Sequence, residues 1–450
     1  MSAIDTPRDA QTFHLVRAGY DAKSASAALV YRFDDGPELI ETIRFADTEL
    51  AIPAGREAAF AAALRLLHLI AGISYYKAAV PPQIAVDGAP LDAALAALLD
   101  EIYLHGLGEF AHRNGLDLRD RIEFPHDAHV PDVAARVGLP RRTLVPIGGG
   151  KDSLVTVELL RAAHEPMTAT WVGRSPLIAA CVERSGLPRL NIERQISPLL
   201  FEMNRNGAWN GHIPVTAINS AILVCAAILH GHDAIAFSNE RSASSANLVR
   251  DGFAVNHQWS KGLDFERAFR NYVSTRVAAD LDYFSALRPL SELAVTRLFA
   301  PLTQYHDVFS SCNRNFRILG DKPAERWCGQ CPKCHFVFLA LSPFLPKTRL
   351  VAIFGRNLLD DATLAAGFDA LLEVGAHKPF ECVGEGRESR AAMAALVDRA
   401  EWREDALVAR FHERILPLLD AGELALAPLM SVDGPHHLPA RLARMFDALG

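Results

Sequence analysis

The sequence is short of positive charge: 46 Lys and Arg stand against 53 Asp and Glu, a net charge of −7. A chain this acidic offers no extended footprint to a polyanion, so no nucleic-acid partner is expected. It also lacks a basic stretch interleaved with aromatics, the composition on which bases stack. Only tRNA retention at moderate salt would revive a reading as a zinc-stabilised RNA-modifying protein. No apolar run approaches the roughly 20 residues that span a bilayer, and Met1–Val30 lacks the apolar centre of a secretory signal. A cytoplasmic protein without membrane attachment is expected. Seven cysteines are too few and too clustered for a secreted disulfide framework. In a reducing compartment such a cluster points to metal or catalysis instead. There is no internal repeat and no low-complexity tract.

What is present is ordinary globular composition, 50% apolar, in a chain of 450 residues, long enough for two or three domains. Residues 1–135 read as an α+β region. Phe13–Asp21, Ala25–Gly36 and Glu38–Asp47 alternate like antiparallel strands, with Asp34–Pro37 as a turn. Arg56–Ala71 reads as an amphipathic helix and Leu91–His112 as a longer one. The proline-containing stretch Arg121–Arg142 has the composition of a linker. Residues 136–345 alternate short apolar strands (Thr143–Ile147, Met167–Gly173, Arg189–Arg194, Asp233–Glu240) with helices (Pro176–Ser185, Val215–Gly231). That rhythm predicts an α/β domain with a doubly wound, mostly parallel sheet covered on both faces. Residues 346–450 read as mostly helical, interrupted at Gly375–Arg390.

The first strand runs into Gly148-Gly149-Gly150-Lys151-Asp152-Ser153 and then a helix, a geometry that turns free backbone N–H groups toward an anion. A P-loop kinase motif fails on spacing, since Val145 occupies the first glycine position and Asp152 follows Lys151. A dinucleotide fingerprint fails for want of a third glycine at the required offset. The stretch resembles the Ser-Gly-Gly-x-Asp-Ser loop of the N-type ATP pyrophosphatases, departing only at Gly148. That resemblance implies a HUP-like fold, ATP as the nucleotide, and cleavage between its α and β phosphates. Gly149 and Gly150 let the backbone wrap two phosphates, Lys151 neutralises their charge, Asp152 suits Mg²⁺, and Ser153 donates a hydrogen bond. Asn239 and Glu240, after the fourth strand, face the same edge as candidates for Mg²⁺ or adenylate contact.

Cys328, Cys331 and Cys334 recur at two-residue gaps, with Cys312 upstream. Four thiolates in this pattern close a tetrahedral structural zinc site; an iron–sulfur cluster or an empty reduced cluster remains open at this stage. The layout resembles the zinc site of 7-cyano-7-deazaguanine synthase, which shares the pyrophosphatase loop but is much shorter.

The whole chain is more similar to the MurL family, the UDP-N-acetylmuramoyl-L-alanyl-L-glutamate epimerases of peptidoglycan synthesis. The likeness rests on PIGGGKDS, FSNERSAS (Phe237–Ser244), VNHQWSKG (Val255–Gly262), WCGQCPKCHFVFLAL and KPFECVGE (Lys378–Glu385). It implies that the substrate is the UDP-muramoyl dipeptide and that ATP adenylates the glutamate carboxylate. Replacing O⁻ by an ester makes the α-carbanion accessible, and hydrolysis to AMP and diphosphate makes the cycle irreversible. An adenylating amide ligase of the deazaguanine-synthase type is the alternative. Epimerisation needs a base on one face and an acid on the other, or one mobile group. Candidates are Cys382, by likeness to the thiols of cofactor-independent glutamate racemases, and the imidazoles of His257 and His212. Lys261, Arg241 and Lys378 are candidate partners for substrate phosphates or the γ-carboxylate. The N-terminal region is left to dock the UDP-sugar, meet another subunit, or couple to a downstream ligase acting on the D-Glu product.

Overall fold

A computed structural model describes residues 5–129, 132–317, 321–375 and 377–446. The chain opens with an antiparallel meander of β1 (Thr12–Asp21), β2 (Ser26–Phe33) and β3 (Leu39–Arg44). Asp34 fixes the turn after β2 by accepting from the backbone N–H of Thr12 at 2.8 Å. Helix α1 (Glu57–Ala71) and the single turn α2 (Ile73–Tyr76) follow, then β4 (Gln83–Val86), parallel to β1. The helical stretch Glu57–Tyr76 is long and apolar enough to cross a membrane by composition, yet 78% of its window is buried inside the fold. Strand β5 (Leu91–Asp92) pairs with β6 (His126–Asp127), around α3 (Ala93–Gly106) and α4 (Gly108–Asn114).

The single helix expected over Leu91–His112 is thus two. Asp92 caps α3 by accepting from Ala94 and Leu95 N–H. The helix stops where Gly106 presses on Pro214, whose Cγ would lie 2.6 Å from any added Cβ.

From β7 (Thr143–Pro146) the chain alternates: α5 (Lys151–Ala162), β8 (Met167–Val172), α6 (Pro176–Ser185), β9 (Arg189–Gln195), α7 (Pro198–Arg205), α8 (Val215–His230) and β10 (Ala234–Phe237). A small hairpin, β11 (Leu248–Arg250) and β12 (Phe253–Val255), precedes α9 (Leu263–Tyr272), β13 (Asp282–Ser285) and α10 (Glu292–Phe299). Helices α11 (Pro332–Leu341), α12 (Lys347–Phe354), α13 (Ala365–Leu372), α14 (Gly386–Ala394) and α15 (Ala406–Arg414) complete the C-terminal part.

Nine strands form one sheet in the order β13-β10-β7-β8-β9-β3-β2-β1-β4. The five from β7 onward in the α/β part are parallel, and β9 pairs antiparallel with β3. The N-terminal meander therefore extends the parallel sheet. Buried Glu41 on β3 takes the guanidinium of Arg194 on β9 at 2.7 Å across that seam. Side chains alternate between two cores, as strand geometry requires. Leu144, Ile235 and Tyr283 join the core under α1 and α8, whereas Val145, Ala236 and Phe284 join the core under α10 and α11. Chain order reverses between β7 and β10, so the crevice beyond their C-terminal ends is where a doubly wound sheet takes its ligand.

Candidate active site

At that crevice β7 turns through Ile147 and three glycines into α5. Gly149 has φ +86°, the left-handed region in which a side chain is strained. A Cβ there would stand 3.3 Å from the Phe316 ring, and one on Gly150 2.6 Å from Ser311 Oγ. The loop is pressed against residues 310–316, with Ser310 N–H donating to the Gly149 carbonyl at 2.9 Å. Gly148 has open space on its cleft side. Gly150 enters α5 in extended geometry without a side-chain cap, leaving the first-turn amides for an anion.

The cleft has a volume of about 450 Å³. Its lining includes Gly148, Gly150, Asp152, Ser153, Asn239, His212, His257, Lys261 and Cys382, so the glycine loop and all three proton-transfer candidates open onto one space. Trp171, Ile178 and Phe316 form its apolar wall. Lys378 and Arg241 are not part of it. The Lys378 ammonium is buried elsewhere without a hydrogen-bond partner, and Arg241 pairs with Asp433.

Lys151 lies below the cleft floor, 1% exposed, its ammonium 2.8 Å from Glu292 Oε1 and paired also with Asp152. Asp152, Glu240 and Glu292 each bring an oxygen within 4.8 Å of the others. Burial, then the charges of Glu292 and Asp152, push Glu240 up to about 8. Burial raises Glu292 as well, but Lys151 and then Lys333 outweigh it and hold its carboxyl at about 2. Glu292 Oε2 is buried with no hydrogen-bond partner. An oxygen-only donor set with an unfilled acceptor fits a hard divalent cation such as Mg²⁺.

At the other end Lys261 donates to Cys382 Sγ at 3.2 Å. Burial raises the Cys382 thiol, but Lys261 and next His257 overcome it and bring it down to about 5. His257 shows the converse: burial lowers it, while Cys382 and Glu109 raise it to about 9. His212 packs beside it with ring centroids 4.2 Å apart, and burial together with the His257 charge lowers it to about 3. The surroundings thus favour the thiolate of Cys382, the cation of His257 and the neutral ring of His212.

The four cysteines converge, with all four sulfurs within 4.8 Å of one another. Cys331 and Cys334 lie 3.4 Å apart and Cys328 and Cys334 3.7 Å, close to the roughly 3.8 Å edge of a tetrahedron with 2.3 Å Zn–S bonds. The Gln330 N–H points at Cys328 Sγ at 3.4 Å, as it would toward a metal-bound thiolate. The donor set fits a closed metal site. It also anchors the cleft, since Cys312 follows Ser311 and α11 begins between Cys331 and Cys334. That helix carries Lys333, whose ammonium reaches both Glu292 (3.7 Å) and the Cys382 carbonyl.

Sequence reasoning missed Glu109, Glu292 and Lys333. Lys333 sits inside the cysteine motif and Glu292 in the first turn of a helix after a serine cap; Glu109 carries no sequence signal at all.

Comparison with known proteins agrees with the layout. The family described as MurL N-terminal domain matches residues 4–286, and MurL C-terminal domain matches residues 308–425. A protein of Xanthomonas oryzae pv. oryzae named UDP-N-acetyl-alpha-D-muramoyl-L-alanyl-L-glutamate epimerase is 60% identical over 442 residues, 98% of each chain. Proteins of the same name from Micromonospora sp. (45% over 383 residues, 85% of each chain) and Salinispora tropica (43% over 397 residues, 88% of this chain and 85% of that one) are also similar.

Proposed function

Because the chain belongs to the MurL family, we propose that it is an epimerase that inverts the terminal L-Glu of UDP-N-acetylmuramoyl-L-Ala-L-Glu to D-Glu in peptidoglycan synthesis. The reaction runs through ATP-dependent activation of the glutamate carboxylate. One observation carries this: the glycine loop and the Cys382 thiolate share a single cleft. A carboxylate oxygen attacks the α-phosphorus of ATP, and the bond to the β-phosphate oxygen breaks to release diphosphate. The loop amides hold the departing charge, and the wall of Trp171, Ile178 and Phe316 takes the adenine. Lys151, expected from sequence to meet the phosphates, instead stays buried as the counter-ion of Glu292 and Asp152. Asp152, Glu240 and Glu292 would hold magnesium, which would supply further neutralisation of phosphate charge.

With the carboxylate esterified, the Cys382 thiolate, paired with His257, takes the α-proton, and the His257–His212 pair lining the same cleft supplies the proton that returns to the carbon. Each carrier shifts the other toward the complementary charge, Cys382 toward the thiolate and His257 toward the cation. Water then hydrolyses the mixed anhydride to AMP and the D-Glu carboxylate. The four cysteines would hold zinc as a structural ion, fixing residues 310–316 and α11. The product keeps free carboxylates, which suits a subsequent amino-acid ligase.

The test is product analysis in D₂O. Wild type should form AMP, not ADP, and place deuterium at the glutamate α-carbon with inverted configuration. Cys382→Ala should retain ATP–diphosphate exchange while α-deuteration falls by about 10²- to 10⁴-fold. ADP formation, or an unchanged L-Glu terminus, refutes the reading.

A further inference from the structure

Helix α4 lies in the N-terminal region, far in sequence from every candidate residue, yet it touches all three segments that carry them. Its Glu109 is 5% exposed and takes the Nδ1–H of His257 on one carboxylate oxygen, with His212 Nδ1 3.8 Å from the same oxygen. Arg113, one turn later, holds the other oxygen at 2.6 Å. The Arg113 guanidinium also lies over the Phe380 ring, 5.2 Å from its centroid, against which His112 packs at 5.5 Å. Phe380 is two residues before Cys382. Asn114 donates to the Asn210 carbonyl at 3.3 Å, and Gly211 lies so close to Phe110 that a Cβ would come within 3.0 Å of its ring. Those contacts place the turn that presents His212.

We infer that Glu109 is a positioning residue for proton transfer: its carboxylate fixes the orientation and the charged state of His257 beside Cys382, which makes the N-terminal region part of the active site. This rests on the proton-transfer reading above. The geometry is that of a thiolate, an imidazole and an orienting carboxylate in series, in which the carboxylate keeps the ring in one tautomer and stabilises its cation. The groups facing His257 and Cys382 from neighbouring elements are Glu109 and Arg113 of α4, His212, Lys261, Lys333 and Glu381. Among the carboxylates of the described residues, Glu109 is the one that bonds to the ring. Arg113 spends its charge on the other oxygen, so Glu109 cannot swing away without breaking an ion pair.

The test compares Glu109→Gln, which keeps shape and removes charge, with Glu109→Asp, which keeps charge at shorter reach. Expected for Gln is ATP–diphosphate exchange within about threefold of wild type, but α-deuteration slowed by 100-fold or more; Asp restores part of it. The alkaline limb of the deuteration rate, set by His257 near about 9, should move to lower pH in the Gln variant, because loss of the carboxylate lowers the imidazole. A second readout needs no substrate: the step in the Cys382 alkylation rate that marks loss of the imidazolium proton should move down in the same way. Parallel loss of both half-reactions, or an unmoved alkylation step in a folded Gln variant, overturns the inference. If wild type itself fails to deuterate substrate, the epimerase reading fails, while the alkylation profile still decides the role of Glu109.

Discussion

Replacing Lys151 by methionine removes the cation from a buried carboxylate group and keeps most of the volume. Glu292 and Asp152 lose their shortest partner; Lys333, 3.7 Å from Glu292, stays and limits the damage. Breaking a buried pair on one side costs about 3–5 kcal/mol, mostly from the charge left behind. Unfolding entropy of about 2.1 cal/mol/K per residue gives roughly 0.9 kcal/mol/K for this length, so the melting temperature should fall by about 3–5 °C. The sign of the pH dependence follows from Glu292. Its folded value, about 2, lies below the usual carboxylate range, so the pairing stabilises above that range and is lost only as pH falls through about 2. Without Lys151 the carboxyl rises, takes up a proton near neutrality, and stops costing stability once protonated. The loss should therefore be largest at pH 8 and smaller at pH 5, and millimolar Mg²⁺ should restore part of it at pH 8. Calorimetry at both pH values, with and without Mg²⁺, is the assay. A loss equal at both, or below about 1 °C at both, refutes the assignment of Lys151 as counter-ion to the carboxylate group.

The thiolate cluster and the glycine loop give two further expectations. Cys331→Ser should lose bound zinc by elemental analysis, melt at lower temperature, and lose ATP–diphosphate exchange, because residues 310–316 and Lys333 lose their anchor. Gly149→Ala should cost roughly 1–2 kcal/mol for a side chain in the left-handed region and raise the KM for ATP at least tenfold; Gly148→Ala, with open space at its Cβ, should be much milder.

The strands of the meander and of the α/β part were legible because their alternation and their flanking turn residues are local signals. The pattern Leu144-Val145 and Ile235-Ala236, one side chain to each core, is written in the sequence itself. Two features were not. Strand β13, Asp282–Ser285, is as long as β7 or β10 but has only Tyr283 and Phe284 between two polar residues, too little apolar run to read as a strand, and it completes the sheet by pairing with β10. The union of β3 with β9 joins residues about 150 apart and is set by shape and by the Glu41–Arg194 pair, for which no local pattern exists. The candidate site divides the same way. The loop and the cysteines repeat at spacings fixed by phosphate and metal geometry, so they announce themselves. Glu109 is one acid on a helix, and only tertiary packing brings it to His257.

That division has a chemical reason. Phosphate binding uses main-chain amides and needs a contiguous loop, so its residues must be neighbours in sequence. Proton transfer at a carbon needs several side chains around one atom, and a single short segment cannot surround it. In the proposed reaction these groups come from separate segments: Cys382 from beyond α13, His257 from beyond β12, His212 from before α8, and the positioning Glu109 from α4. Lys333 stands where the halves meet, its ammonium near Glu292 on the phosphate side and on the Cys382 carbonyl on the other. A carboxylate activated at the loop, as proposed, shares its cleft with Cys382. In the proposed reaction a reactive anhydride need not travel between two sites, where water would hydrolyse it before its stereocentre had exchanged.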